Sequence, residues 1–385
     1  MLRACTRIMP LVLALAGIGL PAAAQEAMQM PDEERLLVAT NRGEVRGSVE
    51  NGVESFLGIP YAAPPVGELR WKPPEPADPW RAPRDAFAFG NRCAAAESTN
   101  GPRSEAEDCL FINVQRPAGV TEDAGLPVYV FIHGGGFLNG SSNQADMAEL
   151  VAETGIIGVS FNYRLGLFGF LAHPELTAES GESGNWGLMD QAAALRWLKD
   201  NIAAFGGDPA RITLGGESAG GWSVCAHMVA PGSAGLFAQA ALQSTPCLSK
   251  PLAEAEATGL KLAAGLGCPE GAPALACLRE LPAARIVDLP YPGIPFPVHD
   301  TPFLPTALRE AVAAGEFAKI PVLVGATRDE GRTFAQGNIG WGKEEYVAWV
   351  EKSFGDRAEA VLAEYPWPDQ ADRYTGAYLP GAIMT

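Results

Sequence analysis

The sequence predicts an α/β chain with a mostly parallel central sheet flanked by helices, and three observations carry that expectation. From Leu110 onward, short apolar and β-branched runs alternate with longer stretches of helical periodicity, the pattern of a sheet covered on both faces. One apolar run, 128–132, leads straight into His133-Gly134-Gly135-Gly136-Phe137. A second, Ile212-Thr213-Leu214, ends in Gly215-Gly216-Glu217-Ser218-Ala219-Gly220-Gly221 and passes into a helix-compatible run from Trp222 to Val229. Strand, sharp glycine turn and helix is the connection that parallel α/β sheets use at their carboxyl edge.

The chain opens differently. Arg3 and Arg7 form a positive segment, residues 8–20 an apolar one, and Ala22-Ala23-Ala24 a small-residue cleavage site before Gln25. Residues 1–24 thus read as a secretory signal peptide, with an apolar run too short to span a bilayer. The mature chain, 25–385, is expected to be soluble and secreted or periplasmic. Residues 36–49, with Gly43 and Gly47, predict a small hairpin, and 55–59 an extended segment. The proline-rich stretch 60–83 predicts ordered coil on the surface. Strands are expected at 110–115, 128–132, 156–162, 238–243 and 320–325. A long helix follows Leu188, Ala192, Leu195, Leu198 and Ile202 and stops at Gly206-Gly207-Asp208-Pro209. Two helical stretches carry Cys268 and Cys277, and another helix covers 306–314. There is no internal repeat and no low-complexity linker, so 25–385 reads as one large domain.

With 28 basic and 45 acidic residues the formal charge is −17. Loss of the leader removes two arginines and no acid, leaving −19. That balance argues against nucleic acid and anionic lipid surfaces as partners. Seven cysteines become six without Cys5, and an exported compartment permits disulfides. Proximity suggests Cys93 with Cys109 and Cys268 with Cys277. The first closes a loop worth about 3 kcal/mol on the chain-entropy view. Cys225 and Cys247 are expected to be thiols that act as small buried hydrophobes.

Gly216-Glu217-Ser218-Ala219-Gly220 matches G-x-S-x-G, the nucleophile elbow. The turn leaves no room for side chains beside the serine, and the helix start behind it favours developing negative charge. Alone, the pattern equally describes a glycine-rich turn that happens to hold a serine. The upstream glycine loop changes that balance, because bare N–H groups after a strand form the other half of an oxyanion hole. Gly135, Gly136 and Ala219 are the candidate donors. His133 precedes the glycines and is expected to anchor their loop.

On these residues the chain resembles the type-B carboxylesterases, the carboxylesterase and cholinesterase family of the α/β hydrolases. The resemblance runs from about Leu36 to the C-terminus. It includes Phe56-Leu57-Gly58-Ile59-Pro60-Tyr61-Ala62 and Glu107-Asp108-Cys109-Leu110-Phe111-Ile112-Asn113-Val114, then Asn162-Tyr163-Arg164-Leu165-Gly166 and Gly184-Asn185-Trp186-Gly187. It implies an α/β-hydrolase fold and a serine carboxylic ester hydrolase that needs no cofactor and no metal. Ser218 is implied as nucleophile, and Glu330 in Asp329-Glu330-Gly331 as triad acid. It also supports both disulfides above and implies ion pairs Arg70–Glu107 and Arg164–Asp190. Phe296 is implied in an acyl pocket.

Two departures stand out. No aromatic residue lies between Cys93 and Cys109, where cholinesterases carry the tryptophan that holds choline, so a choline ester is not the expected substrate. The triad order in this fold is serine, acid, histidine, yet no histidine follows Glu330. His133, His173, His227 and His299 all precede it. His227 lies about 13 Å along the helix from the serine and is expected in packing, and His173 on a surface loop. The sequence ends inside what resembles the family's T-D-x-x-F-type motif, so the last C-terminal elements are expected to be missing, with apolar surface left bare. A non-catalytic cholinesterase-like binding protein, or an inactive truncated product, are the alternatives.

Overall fold

The computed structural model describes residues 36–383 except Asp329. The signal-peptide segment lies outside the described residues. Eight strands form one twisted sheet: β1 (Ser48–Glu50), β2 (Val53–Pro60), β3 (Phe111–Pro117), β4 (Leu126–Ile132), β5 (Ile157–Phe161), β6 (Gly207–Glu217), β7 (Gln239–Gln243) and β8 (Val322–Gly325). Their order across the sheet is β8-β7-β6-β4-β5-β3-β2-β1. Strands β8, β7, β6, β4 and β5 are parallel, and β3, β2 and β1 continue antiparallel. A smaller ribbon pairs Leu37–Thr40 with Gly43–Arg46, as the hairpin pattern requires.

The central strands are apolar on both faces because helices cover both. Every residue of β5, IGVSF, is buried. Helix α1 (Trp186–Asn201) buries Leu188, Ala192, Leu195 and Leu198, and helix α2 (Ala219–Val229) packs back over β6 and β7. The core they share holds Phe56, Val130, Phe161, Leu195, Phe205 and Leu214.

Register decides where chemistry can gather. Ile132 of β4, Gly216 of β6, Leu242 of β7 and Val324 of β8 form one row across the sheet. The glycine loop, the Ser218 turn, residues 243–244 and the segment up to Glu330 therefore leave the sheet from one carboxyl edge.

Both ion pairs implied by the resemblance are present and buried. Arg164 Nε and Nη2 donate to Asp190 at 2.8 and 2.7 Å, and Arg70 Nε donates to Glu107 at 2.7 Å. A third buried pair, Arg116–Glu54 at 2.8 Å, has no counterpart in the sequence reading.

The structure corrects two expectations. His173 is buried; it caps the helix Pro174–Ser180 by accepting the Glu175 N–H on Nδ1. Its backbone N–H donates to Ser183 Oγ at 3.1 Å, a bond across the short helix that a loop reading could not anticipate. Cys225 and Cys247 are not separate thiols. They form a third disulfide, Cα to Cα 5.9 Å, alongside Cys93–Cys109 and Cys268–Cys277. Helix α2 lies on β7, so the chain leaving β7 crosses the helix face that bears Cys225, and Trp222 Nε1 donates to Leu248 O there at 2.6 Å. Non-reducing peptide mapping should recover these three linked pairs. A free thiol at Cys225, or Cys93 joined to any cysteine but Cys109, would refute the assignment.

Strand β8 is the exception to the burial pattern. Among the described residues it pairs with β7 on one side only, and Val322, Leu323 and Val324 are 40, 68 and 71% exposed. A bare parallel edge of this composition is an association hazard. The chain should bind a hydrophobic dye such as ANS and self-associate with rising concentration. Leu323→Lys with Val324→Thr should remove most of both signals, and an unchanged sedimentation profile would refute the role of this edge.

Candidate active site

Helix α2 begins at Ser218, whose φ of 55° and ψ of −122° lie in a region that side-chain-bearing residues avoid. Holding a serine there costs on the order of 1–3 kcal/mol, a strain that surrounding contacts must offset. The flanking glycines show how. A Cβ on Gly216 would lie 2.3 Å from the Gly220 carbonyl carbon, and one on Gly220 only 1.9 Å from Ile132 O. Strand β6, the helix start and the end of β4 touch backbone to backbone, which leaves the serine side chain out at the turn. Ser218 N donates to Gln243 O at 2.9 Å, tying the turn to the end of β7.

The glycine loop sits against this turn. A Cβ on Gly134 would fall 2.8 Å from Glu217 Oε2 and 3.2 Å from Ser218 Cβ. Gly135 and Gly136 have φ of 109° and 62°, and Leu138 and Asn139 both donate to Gly135 O, closing the loop on itself. Among the described residues neither Gly135 nor Gly136 donates its N–H to any acceptor, and Ala219 N is the first N–H of α2. His133 anchors this loop as expected. Its Nδ1 bonds Gly134 O at 2.9 Å, its ring stacks on Tyr163 at 4.4 Å, and Tyr163 Oη donates to its carbonyl. Burial pushes its pKa down to about 4.

Glu330 opens a one-turn helix, Glu330–Phe334, just after β8. Its Oε2 accepts from Ser244 Oγ at 2.7 Å and from Thr327 N and Oγ1 at 3.0 and 2.8 Å. The Ser244 hydroxyl first, and then Thr327, hold this carboxyl below the usual glutamate range. The lowered value means that the bonds favour the ionised form; they are present at neutral pH and are lost as pH falls through the lowered pKa. All three donors converge on Oε2, and none among the described residues reaches Oε1. Neighbouring Glu217 moves the other way, raised by burial and then by the charge on Glu330.

Ser244 is the residue that sequence reasoning missed. Adjacent residues 243 and 244 bond the serine turn and the acid respectively, so the end of β7 couples the two. Ser244 has φ 52° and donates its N–H to Gly325 O. A polar Ser-Thr pair leaving a buried strand at the carboxyl edge was its only signal.

The four histidines all lie elsewhere. His227 is clamped between Ser233 Oγ and Gln191 Oε1, its pKa pushed to about 3 by burial. His299 Nδ1 meets Ser249 Oγ at 3.0 Å. No histidine bonds Ser218 or Glu330.

The chain matches the carboxylesterase family over residues 34–358. It belongs to that family. Among curated carboxylesterases it is similar to a fumonisin B1 esterase of Sphingopyxis macrogoltabida, 42% identical over 371 residues, covering 93% of this chain and 67% of the relative. A para-nitrobenzyl esterase of Bacillus subtilis is 41% identical, covering 77% of this chain and 63% of its own length. A pyrethroid hydrolase of Mus musculus is 38% identical, covering 79% and 56%. The chain thus spans about two thirds, or less, of the length of these relatives. A solved PNB esterase superposes with a TM-score of 0.77 at 35% identity, covering 90% of this chain and 75% of that one. The α/β-hydrolase fold is therefore shared with known ester hydrolases.

Two clefts share Pro290 and Tyr291 in their walls. The segment 290–296 passes over the glycine loop, with Ile294 Cγ2 3.3 Å from the place of a Gly136 Cβ. The first cleft, of 240 Å³, is lined by Leu138, Leu167, Phe168, Ile286 and Tyr291. The second, of 390 Å³, is lined by Lys250, Thr258, Lys261, Tyr291 and Phe296.

Proposed function

We propose that this carboxylesterase-family chain hydrolyses carboxylic esters through an acyl-enzyme on Ser218, with Glu330 as triad acid and Gly135, Gly136 and Ala219 as oxyanion donors. The observation that carries the reading is the strained Ser218, held at the start of α2 against a glycine loop with unengaged N–H groups. Its Oγ attacks the ester carbonyl while a base removes its proton. The carbonyl oxygen gains charge, which the N–H groups stabilise, and collapse expels the alcohol, protonated by the same base. Water then repeats the sequence on the acyl-serine. Glu330 would orient the base through Oε1, since Ser244 and Thr327 occupy Oε2.

The base in this proposal is a further histidine outside these 385 residues, because none of the four present bonds Ser218 or Glu330. Such a segment would also cover the bare β8 edge. We also propose export, with the leader removed before Gln25. The three disulfides and the absence of a helix long and apolar enough to cross a membrane, among the described residues, fit that reading. Mass spectrometry of exported protein should find Gln25 at the N-terminus, and an intact Met1 form as the main species would refute it.

The catalytic assignment is tested by prolonged exposure to a fluorophosphonate. The adduct should map to Ser218, slowly formed for want of a base, and Ser218→Ala should abolish it. Labelling spread over surface serines without preference for Ser218 would favour a non-catalytic binding protein.

A further inference from the structure

We propose that Asn139, tethered by Asn100 of the disulfide-closed loop 93–109, is a positioning residue that aims the Gly136 N–H at the oxyanion. The oxyanion role rests on the esterase reading above, whereas the joint between the two loops stands on its own contacts.

A peptide unit is planar, and in the trans form its C=O and N–H point opposite ways. Whatever holds a carbonyl therefore also aims the N–H of the next residue. No peptide bond among the described residues is cis. Two carbonyls of the glycine loop are held. His133 Nδ1 bonds Gly134 O at 2.9 Å and so sets the Gly135 N–H. Leu138 N and Asn139 N donate to Gly135 O at 3.0 and 3.2 Å and so set the Gly136 N–H. That second device needs the backbone at 138–139 to stay where it is. It lies very close, since a Cβ on Gly135 would fall 2.2 Å from Asn139 O and 2.7 Å from Asn139 Oδ1.

Asn139 is in turn held from outside its own loop. Its Oδ1 accepts from Asn100 Nδ2 at 2.6 Å, the one side-chain hydrogen bond of Asn139 among the described residues. Asn100 is a well-fixed donor. Its N–H donates to Ser98 Oγ at 3.1 Å, and Arg92 Nη2 donates to its carbonyl. Ser98 and Gly101 exchange backbone bonds at 3.0 Å, Ala95 and Ser104 do so at 2.9 Å, and Cys93–Cys109 closes the base of the loop.

One line of bonds thus runs from the disulfide loop through Asn100 and Asn139 to Gly135 O and the Gly136 N–H. Three successive glycines have little steric resistance to rotation of their peptides. An oxyanion donor is most effective when it is aimed before the charge develops. Without the tether, Asn139 borders the 240 Å³ cleft, which gives its side chain room to move.

The test uses the full 385-residue chain and its fluorophosphonate adduct at Ser218, whose phosphoryl oxygen takes the place of the oxyanion. The dependence of labelling rate on probe concentration separates the encounter constant KI from the maximal rate kinact. Asn100→Ala should lower kinact about tenfold and leave KI within about twofold, because a mis-aimed donor costs less than a donor removed outright. Asn139→Ala should do the same, and the double variant should lose no more than either, since the pair acts as one unit. Hydrogen exchange at the Asn139 N–H should quicken about tenfold in Asn100→Ala, as its bond to Gly135 O opens more often. An unchanged kinact, a loss carried by KI alone, additive losses in the double variant or unchanged exchange overturns the proposal. No adduct at Ser218 in the unsubstituted chain would sink the esterase reading, and the oxyanion role with it. Labelling of Ser218 at equal rates in all four chains would sink the positioning role and leave the esterase reading standing.

Discussion

A version of this chain extended by a C-terminal segment that carries the proposed histidine should hydrolyse a simple aryl ester on the order of a millionfold faster than the 385-residue chain. On the proposed reading Ser218, Glu330 and the N–H donors meet at one sheet edge, and the base is a histidine outside these 385 residues. Without a base the serine hydroxyl remains protonated near neutral pH, and the remaining donors can stabilise little charge that never forms. Ser218→Ala in the extended chain should return the rate to background. The comparison is of kcat for the two chains on one ester. If the 385-residue chain turns over at ordinary enzymatic rates and Ser218→Ala kills it, a resident histidine is the base and the assignment fails. That outcome would require one of His133, His173, His227 and His299 to reach Ser218 from a place where, among the described residues, it bonds other groups.

The sequence disclosed the strands because parallel, doubly covered strands such as Ile157–Phe161 are near-continuous apolar runs, and it disclosed the turns because glycine is required where backbones touch. Gly216 and Gly220 are examples: their neighbours at 2.3 and 1.9 Å admit no Cβ. Most strand ends were legible to within two residues, the strand expected at 110–115 running from Phe111 to Pro117, but β6 starts at Gly207, five residues before Ile212. What stayed hidden depends on contacts between segments distant in sequence. Cys225 and Cys247 meet only because α2 lies across the chain leaving β7, a packing relation with no local signature. His173 looked exposed because histidine before proline marks a turn, yet its ring is buried where it caps the helix Pro174–Ser180, which itself buries only Leu176. Ser244 carries the same lesson for the site. A serine bonding a glutamate 86 positions away leaves no trace in its own neighbourhood. Of the two clefts only Phe296 was foreshadowed, through the pocket the resemblance implies, since the other lining residues converge only in three dimensions.

Asp190→Ala should cost about 3–5 kcal/mol of folding stability, because it strands a buried guanidinium. Arg164 reaches Asp190 through Nε, Nη2 and its own backbone N–H, and its Nη2 also donates to Lys72 O. The clasp joins helix α1 to the chain leaving β5, and it does so in a crowded place. Cβ atoms on Gly169 and Gly187 would lie 2.1 and 2.6 Å from Arg164 O, so the backbone that carries the arginine is closely packed, and its side chain is 3% exposed. Against a total stability of roughly 5–15 kcal/mol, the loss is severe. Replacing both partners tests whether the cost comes from the orphaned charge or from lost attraction. Arg164→Met with Asp190→Leu should be less destabilised than Asp190→Ala alone, since apolar groups of similar size leave no charge to desolvate. Urea midpoints of the three chains measure it. A double variant worse than the single one would mean that the bonds to Lys72 O and the Arg164 backbone, rather than the unpaired charge, dominate this clasp.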